Sequence, residues 1–434
     1  MPKRASSVPY KDYMKQNKHW PFEKRNFLSG LLHGTFFKFG SAFSHENSIL
    51  PAFIYSLTGS PLLVGLLATL RRFGLIAPQL FFAGFLESKK YKRPYLVGVL
   101  YIRALMWFVM GWSVVFLSTD WPVLTTWIVF VLLTIFFFSG SMGQLVYSYI
   151  LGSTISPQKR GRFFGVNNLL GGLAGIGAGF LSGDMLKNLK SSGTLTEYGQ
   201  LFVITSLAFA VAGIGFVLMR EQGDGRHEKN KGLKTFFRES FELARGNRTF
   251  RKLLIVALLY PAVLMSVPFF VVLARDKLHA TGLELGMFVT MQITGEMLGG
   301  LFWGALGDHF GYRKVLIGLT AMITITPLFA VLLYGSWPGA FSLVFLLSGF
   351  VLKPVNNSVR NYILEISSNH RVPQYVALKN TITAPTLLFP VIGGFILNLF
   401  GYLALFYISS ILIAGAFLTS WLLPEPRNML SGET

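Results

Sequence analysis

Residues 304–314 read Gly-Ala-Leu-Gly-Asp-His-Phe-Gly-Tyr-Arg-Lys and join two long apolar runs, at about 283–306 and 314–334. The stretch combines three glycines with an acid and two adjacent bases. Glycine permits a tight turn, and the charged side chains need water or partners. The sequence therefore predicts two antiparallel helices, each long enough to cross a bilayer, that meet at a polar turn on one membrane face.

The composition of the whole chain also indicates that most of it lies in a lipid bilayer. Hydrophobic residues make up 52% of the 434 residues and charged residues 13%, about half of the ~25% that is usual in soluble domains. Apolar runs near or beyond the ~20 residues of a membrane span recur along the chain, at 27–50, 62–86, 95–117, 123–150, 163–187, 200–219, 253–274, 283–306, 314–334, 340–364, 375–398 and 401–423. We therefore predict an all-α integral membrane protein with twelve transmembrane helices.

Lysine and arginine are concentrated in every second loop. They follow the second, fourth, sixth, eighth and tenth runs, as in Lys89–Arg93, Lys159–Arg162, Arg220–Lys252, Arg313–Lys314 and Arg371. The loops between them are nearly free of bases, with Lys187, Lys190, Arg275 and Lys277 as exceptions. The positive-inside rule then places both termini in the cytoplasm. It also accounts for the net charge of +20 without nucleic acid. We expect a multi-pass plasma-membrane protein and, because long glycosylatable loops are absent, a bacterial inner membrane.

The basic central loop divides the chain into two halves that echo each other. We predict five parts: a cytoplasmic segment 1–26, a six-helix half 27–220, a linker 221–252, a second six-helix half 253–424 and a tail 425–434. Leu233, Phe237 and Phe241 repeat every four residues in the linker, which predicts an amphipathic helix on the membrane surface or packed under the bundle. Parallel six-helix repeats suit a carrier whose site lies between the halves.

Three groups of residues resemble motifs of the major facilitator superfamily. Gly304, Asp308, Gly311, Arg313 and Lys314 match its loop motif G-x-x-x-D-x-x-G-x-R-K. Pro157, Arg160, Gly161 and Gly165 resemble its connection between the fourth and fifth helices, and Pro390, Gly393, Gly394 and Gly401 its eleventh-helix pattern. The resemblance covers the whole helical region. It implies two six-helix halves and alternating-access transport of a small solute.

The sequence departs from the family pattern at several points. In the first-half loop, Ser88 stands where the family's acid is expected, Glu87 comes one residue earlier, and Tyr91 replaces a glycine. The fourth span lacks the arginine of many proton-coupled drug exporters. The resemblance therefore does not carry a proton/drug antiport mechanism to this chain.

The two polar turns are candidates for a cytoplasmic gate. An acid–base cluster at these turns could hold the halves together and release them as they rock; the alternative is a plain topology signal. The candidate gate residues are Gly84, Glu87, Arg93, Gly304, Asp308, Gly311, Arg313 and Lys314.

Ionisable side chains inside spans are expensive and indicate function by default. The tenth span carries a polar stripe at helical spacing beside Pro354, which predicts a wet cavity or an interhelical seam. Together with polar residues of other spans, it gives these candidates for the substrate or ion pathway: Lys38, His45, Glu46, Arg71, Arg72, Gln144, Tyr147, Gln292, Glu296, Lys353, Asn356, Asn357 and Arg360.

Some of these candidates have alternative interpretations. Lys38 and His45 share a helical face, and Glu46 would lie about 100° away near the outer end of the span. Arg71 and Arg72 are adjacent and cannot both face one cavity, so we expect one of them to line the pathway and the other to pair with an acid or reach a membrane boundary. Glu296 is either a proton-titrating or substrate-amine site or one half of a salt bridge to Lys353.

Glycines recur every four residues in the fifth span, at Gly171, Gly175, Gly179 and Gly183. A stripe without side chains permits close contact between helices. We therefore predict that this face packs against another helix, near the interface that opens and closes.

The expected function is secondary active transport of a small solute, coupled to H⁺ or Na⁺. Bases outnumber acids among the pathway candidates, which favours an anionic or amphipathic solute. A multipass membrane enzyme, a channel and a non-transporting receptor are the alternatives, and uptake versus efflux stays open. No nucleotide, metallopeptidase or hydrolase motif occurs, and there is no cysteine. We therefore expect no enzyme activity, no cofactor and no metal, and a monomer that contacts membrane lipid.

Overall fold

A computed structural model describes residues 22–87, 89–187, 194–221, 246–367 and 371–426. Every regular element in this part of the chain is helical, so the predicted all-α class is confirmed. The first half contains α1 (Glu23–Phe43), α2 (Ile49–Thr58), α3 (Pro61–Ile76), α4 (Gln79–Glu87), α5 (Arg93–Leu117), α6 (Pro122–Thr154), α7 (Pro157–Leu186) and α8 (Thr196–Leu218).

The second half contains α9 (Arg248–Leu259), a 3₁₀ segment (Tyr260–Met265), α10 (Val267–Asp276), α11 (Gly282–Phe310), α12 (Tyr312–Leu332), α13 (Pro338–Ile366), α14 (Val372–Thr383), a second 3₁₀ segment (Ala384–Leu388) and α15 (Phe389–Trp421). The amphipathic linker helix predicted around Leu233–Phe241 lies outside the described residues.

Eight helical segments of the described chain are long and apolar enough to cross a membrane. One of them, Gln374–Trp421, has 48 residues, which at ~1.5 Å per residue is more than twice the ~30 Å hydrocarbon core. Gly401 interrupts it with a φ of 81°, a conformation that glycine adopts readily. The predicted spans from the second to the tenth each coincide with one described helix or with consecutive ones, and the last two share α15, which is consistent with twelve spans.

The prediction of one continuous first span at 27–50 is wrong. Helix α1 ends at Phe43, residues 44–48 form no helix, and α2 runs through most of the predicted loop 51–61. The five residues of the break are Ser, His, Glu, Asn and Ser. Short polar side chains such as Ser and Asn compete for backbone hydrogen bonds and disfavour helix interiors. Glu46 was predicted near the outer end of a helix. Because of the break, it lies in a turn between two helices.

The two halves meet where glycines let backbones approach. In α7, a Cβ added to Gly179 would lie 2.4 Å from Thr290 Oγ1, and one added to Gly183 would lie 3.1 Å from Leu283 O. The close packing predicted for this glycine stripe is therefore confirmed, and its partner is α11 of the other half. Helix α3 meets α15 in the same way, since a Cβ on Gly65 would lie 2.3 Å from Pro390 O.

These contacts lie at one end of the molecule. They involve the start of α3, the later part of α7 and the start of α11; we call this the closed end. At the opposite end, which carries the basic turns and which we call the basic end, added Cβ atoms at Gly84, Gly165 and Gly304 would meet no atom within 4 Å. Helices α4 and α14, which lie at the basic end, make their extensive contacts within their own halves. The described halves are therefore packed together at the closed end and lack extensive contact at the basic end.

We expect Gly179→Val to weaken the closed end. A valine would press on Thr290 N and Gly286 O, which lie 3.0 Å and 3.2 Å from the added Cβ; overpacking of this kind costs about 1–3 kcal/mol. The chain has no cysteine, so a Ser56→Cys substitution would supply its sole thiol for labelling. Ser56 neighbours Tyr198 at the closed end, so the rate at which this thiol is labelled measures how often the closed end opens. The maleimide labelling rate of the thiol should rise about tenfold, the factor that ~1.4 kcal/mol represents.

Gly177→Val is the matched control, because no atom lies within 4 Å of a Cβ added at Gly177 in the same helix. An equal rise in both variants, or no rise in Gly179→Val, would show that the glycine contact does not hold this end closed.

Candidate functional site

Two ion pairs lie in the space between the halves. In the first half, Arg71 Nη2 of α3 lies 3.0 Å from Glu46 Oε1 in the break after α1. In the second half, Lys353 of α13 forms a salt bridge with Glu296 of α11. The first pair follows the expectation that one of the adjacent arginines binds an acid. The second is the salt-bridge alternative that the sequence left open for Glu296.

The two pairs belong to one electrostatic cluster. Glu46 interacts across the halves with Lys353, and Lys38 of α1 interacts with both Lys353 and Glu296. Arg72 interacts with Arg71 and Glu46. We define the central cluster as Lys38, His45, Glu46, Arg71, Arg72, Glu296 and Lys353. With His45 neutral, its four bases and two acids leave a formal excess of two positive charges.

Local features of the chain position these side chains. The polar break places Glu46 opposite Arg71, and Gly171 leaves room for Lys38, whose Cδ lies 2.3 Å from where a Cβ would be. Lys38 Nζ donates to Asn168 Oδ1 at 2.8 Å and to Asn167 O at 3.3 Å. Within the described chain, Lys38 therefore binds amide oxygens and no carboxylate.

The cluster faces open space. The Lys353 side chain is 65% exposed although its partner Glu296 is 19% exposed, and Glu46 is 46% exposed against 16% for Arg71. Each pair thus has one member that water reaches and one that is largely covered. A solute entering from the basic end would meet charge that is already partly desolvated, where electrostatic contacts are stronger than in bulk water.

A tyrosine that the sequence analysis missed extends the cluster. Tyr260 interacts electrostatically with Arg72, and its hydroxyl donates to Asn356 Oδ1 at 2.9 Å. The 3₁₀ segment that begins at Tyr260, with Pro261 as its second residue, interrupts the α-helix there. The available signal was this Tyr-Pro pair inside an otherwise apolar run.

Five other pathway candidates are not members of the central cluster. Gln144 accepts a hydrogen bond from Gln79 Nε2 at 3.3 Å. The Tyr147 ring packs 5.4 Å from His33 and 5.6 Å from Phe216. Gln292 is buried in the packing of α11. Arg360 lies two turns beyond Lys353 on α13 and is exposed, as is the nearer Asn357.

The bases of the two polar turns bind within their own halves. Arg93 Nε donates to Phe216 O at 3.1 Å, and Glu221 accepts from the backbone N–H of Arg93 at 2.8 Å. These contacts join the start of α5 to the end of α8. In the second half, Arg313 Nη2 donates to Trp421 O at 3.1 Å, which joins the start of α12 to the end of α15.

Glutamate positions complete the parallel between the halves. Arg93 also donates to Val217 O, and Glu221 follows Val217 by four residues as Glu425 follows Trp421. Glu425 Oε1 lies 2.6 Å from a Cβ built on Gly311. Asp308 and Lys314 are exposed, and the Glu87 side chain lies outside the described residues. A gate between the halves at these turns stays a prediction.

Polar contacts between the halves occur at the closed end instead. Arg275 Nη1 of α10 donates to the Tyr198 hydroxyl of α8 at 2.9 Å. Tyr402 donates to Asp276 Oδ2 at 3.3 Å, and Tyr55 of α2 interacts with both of them. The sequence analysis treated Arg275 solely as an exception to the charge pattern. Its role at an interface depends on tertiary packing.

The fold and the cluster define a class: an integral membrane protein of two helical halves that enclose a charged site. The family model described as Major Facilitator Superfamily matches residues 253–433, which contain the second polar turn. The match covers less than half of the chain, and this second half is similar to the major facilitator superfamily, as its motifs indicated.

The fold is shared with solved transporter structures, and part of the sequence is similar to one further relative. A mutant form of the nucleoside transporter NupG superimposes with a TM-score of 0.70 at 13% identity over 92% of this chain and 99% of that one. A bacterial homologue of the iron transporter ferroportin in an inward-facing state gives 0.65 at 15% identity, over 94% and 99%. The "Putative transporter svop-1" of Caenorhabditis elegans is 28% identical over 156 residues, which span 35% of this chain and 29% of that relative.

We expect Lys353→Met to destabilise the protein, because it leaves the largely covered Glu296 carboxylate without its partner. Loss of a charged hydrogen bond at a partly wet site costs about 1–2 kcal/mol. The melting temperature of the purified protein in detergent should fall. Adding Glu296→Gln should restore most of the lost melting temperature, since the unpaired Glu296 carboxylate is then removed.

Lys187→Met serves as the control, because Lys187 pairs with an exposed Asp184 and should leave the melting temperature unchanged. A double variant no more stable than Lys353→Met would mean that the pair does not stabilise the fold.

Proposed function

We propose that this chain is a secondary transporter that moves a small organic anion across the membrane by alternating access. The observation that carries the proposal is the central cluster, which lies between two halves joined at one end and separated at the other. Its excess of two positive charges supports an anionic solute, because such a site attracts anions and repels cations.

The arrangement of the bases supports alternating access. Lys38 and Arg71 come from the first half and Lys353 from the second. An anion between them would be attracted to both halves at once and would draw their separated ends together. The closed end is held by glycine contacts and a few polar bonds, which can open when the basic end closes. The solute would then face the other side.

The named solutes of the relatives differ and therefore do not identify the solute of this chain. NupG is named for nucleosides and the ferroportin homologue for a transporter of iron, so one fold accompanies different cargo. The charge of the cluster is the better guide. We further propose that a proton or sodium gradient drives transport and that Glu46 and Glu296, the acids of the cluster, are the coupling groups.

The orientation is part of the same proposal. By the positive-inside rule, the basic turns support a basic end in the cytoplasm, and this conformation would then be open to the inside. We propose a multi-pass plasma-membrane protein with both termini cytoplasmic, of the bacterial inner-membrane type.

The test is flux into proteoliposomes that contain the full chain. Labelled mono- and dicarboxylates, a neutral sugar and an organic cation should be compared with and without imposed proton and sodium gradients. We expect uptake of organic anions that a gradient accelerates. Transport of the sugar alone would refute the anionic solute, and saturable binding without flux would indicate a receptor.

We expect Arg71→Gln and Lys353→Gln each to lower the rate of anion transport about 100-fold, as loss of one close charge contact of ~3 kcal/mol implies. Lys187→Gln removes an exposed base outside the cluster and should transport normally. Normal anion transport by both cluster variants would exclude this cluster as the solute site.

A further inference from the structure

Arg103 is a base in the middle of the first half that the central cluster does not include. It is the eleventh residue of α5, about 15 Å from the start of the helix at ~1.5 Å per residue, and so near the middle of the membrane. Arg103 is not among the predicted pathway residues. The available signal was a lone arginine at the centre of the predicted span 95–117.

Aromatic rings surround the guanidinium. Its Cζ lies 4.1 Å from the ring centroid of Phe136, 5.1 Å from that of Phe37 and 5.8 Å from that of Phe209. Gly140 of α6 leaves space on another side, since a Cβ there would lie 3.5 Å from Cζ and from Nη2. Three helices, α1, α6 and α8, thus supply the walls of a pocket around one cation.

The donors of this cation have no acceptor among the described residues. The salt bridges of the described chain leave Arg103 without a carboxylate, and its buried Nε has no hydrogen-bond partner. Ring faces attract the positive charge but do not replace the acceptors that five N–H donors need. Buried guanidinium groups are normally paired with an anionic group. Arg103 has no such partner among the described residues.

The site is close to the solute pathway and electrostatically separate from it. Phe37 precedes Lys38 on α1, so the pocket shares a wall with the central cluster. Yet the interactions of Lys38, Glu46 and Lys353 do not include Arg103. The residue is half-buried, so a small ion can reach its exposed nitrogens. The acids of the central cluster therefore do not neutralise it.

We propose that Arg103 holds a small monovalent anion in this aromatic-walled pocket of the first half. The chemistry that fits is a single negative charge with lone pairs facing the guanidinium nitrogens. A carboxylate group and a free halide such as chloride both meet this description. The proposal holds whether or not the chain transports an organic anion at the central cluster.

The experiment is thermal unfolding of the full chain in detergent, at constant sodium concentration, as gluconate is replaced by chloride, formate or acetate. A ligand that binds the folded state raises the melting temperature by mass action. We expect a rise of about 3 °C at saturation. Chloride alone as the effective ion identifies a halide site, and formate or acetate alone identifies a carboxylate site.

Variants separate this pocket from the central cluster. Arg103→Gln should abolish the rise, and Lys353→Gln should retain it. A rise that survives Arg103→Gln, or is lost in Lys353→Gln alone, would overturn the proposal by placing the anion elsewhere. Absence of any rise with all three ions in the natural chain would overturn it as well.

A second variant keeps the test valid if Arg103→Gln does not fold. Gly140→Val leaves the arginine in place and puts methyl groups against its guanidinium, so the anion concentration needed for half the rise should increase at least tenfold. Gly98→Val is its matched control, because no atom lies within 4 Å of a Cβ added on that face of α5. Equal anion responses in the two glycine variants would also contradict the proposal.

Discussion

The cost of keeping charge away from bulk water organises the middle of this molecule. A charged side chain in the hydrocarbon must be paired, hydrogen-bonded or wet, and the central cluster uses all three. Arg71 and Lys353 are paired with Glu46 and Glu296, and Lys38 is bound to asparagine oxygens. One member of each ion pair is exposed. The halves must therefore enclose a cavity here, because a dry interface would leave the excess positive charge without compensation.

The same constraint explains what could be predicted from the sequence. Apolar runs and loop charges have a direct physical meaning in a bilayer, so the all-α class followed from them. Intramembrane charges are rare enough to stand out, and most of the central cluster was found in this way. The salt bridge between Lys353 and Glu296 was one of two open alternatives. The structure shows this salt bridge because α11 lies beside α13, and a coupling role for Glu296 stays a prediction.

The failures share a cause. The break after Phe43 depends on five polar residues that a hydropathy average over a span conceals. Tyr198 and Arg275 acquire their roles from helices distant in sequence, and no local pattern marks these roles. Tyr260 had only the Tyr-Pro pair as a local signal. Arg103 was visible as a lone base, but its aromatic surroundings come from Phe37, Phe136 and Phe209 on three other helices. Local sequence therefore indicated where charge lies, and tertiary packing determined what each charge contacts.

The glycine contacts of α7 with α11 have a consequence for how the closed end responds to its surroundings. In a bilayer, lipid tails compete with helix–helix contacts on nearly equal terms, so such a joint depends on fit between backbones. Surface fit is little affected by ionic strength or by proton concentration, whereas contacts between exposed charges are screened. The glycine contacts of the closed end thus depend mainly on shape, whereas the contacts of the central cluster depend on charge.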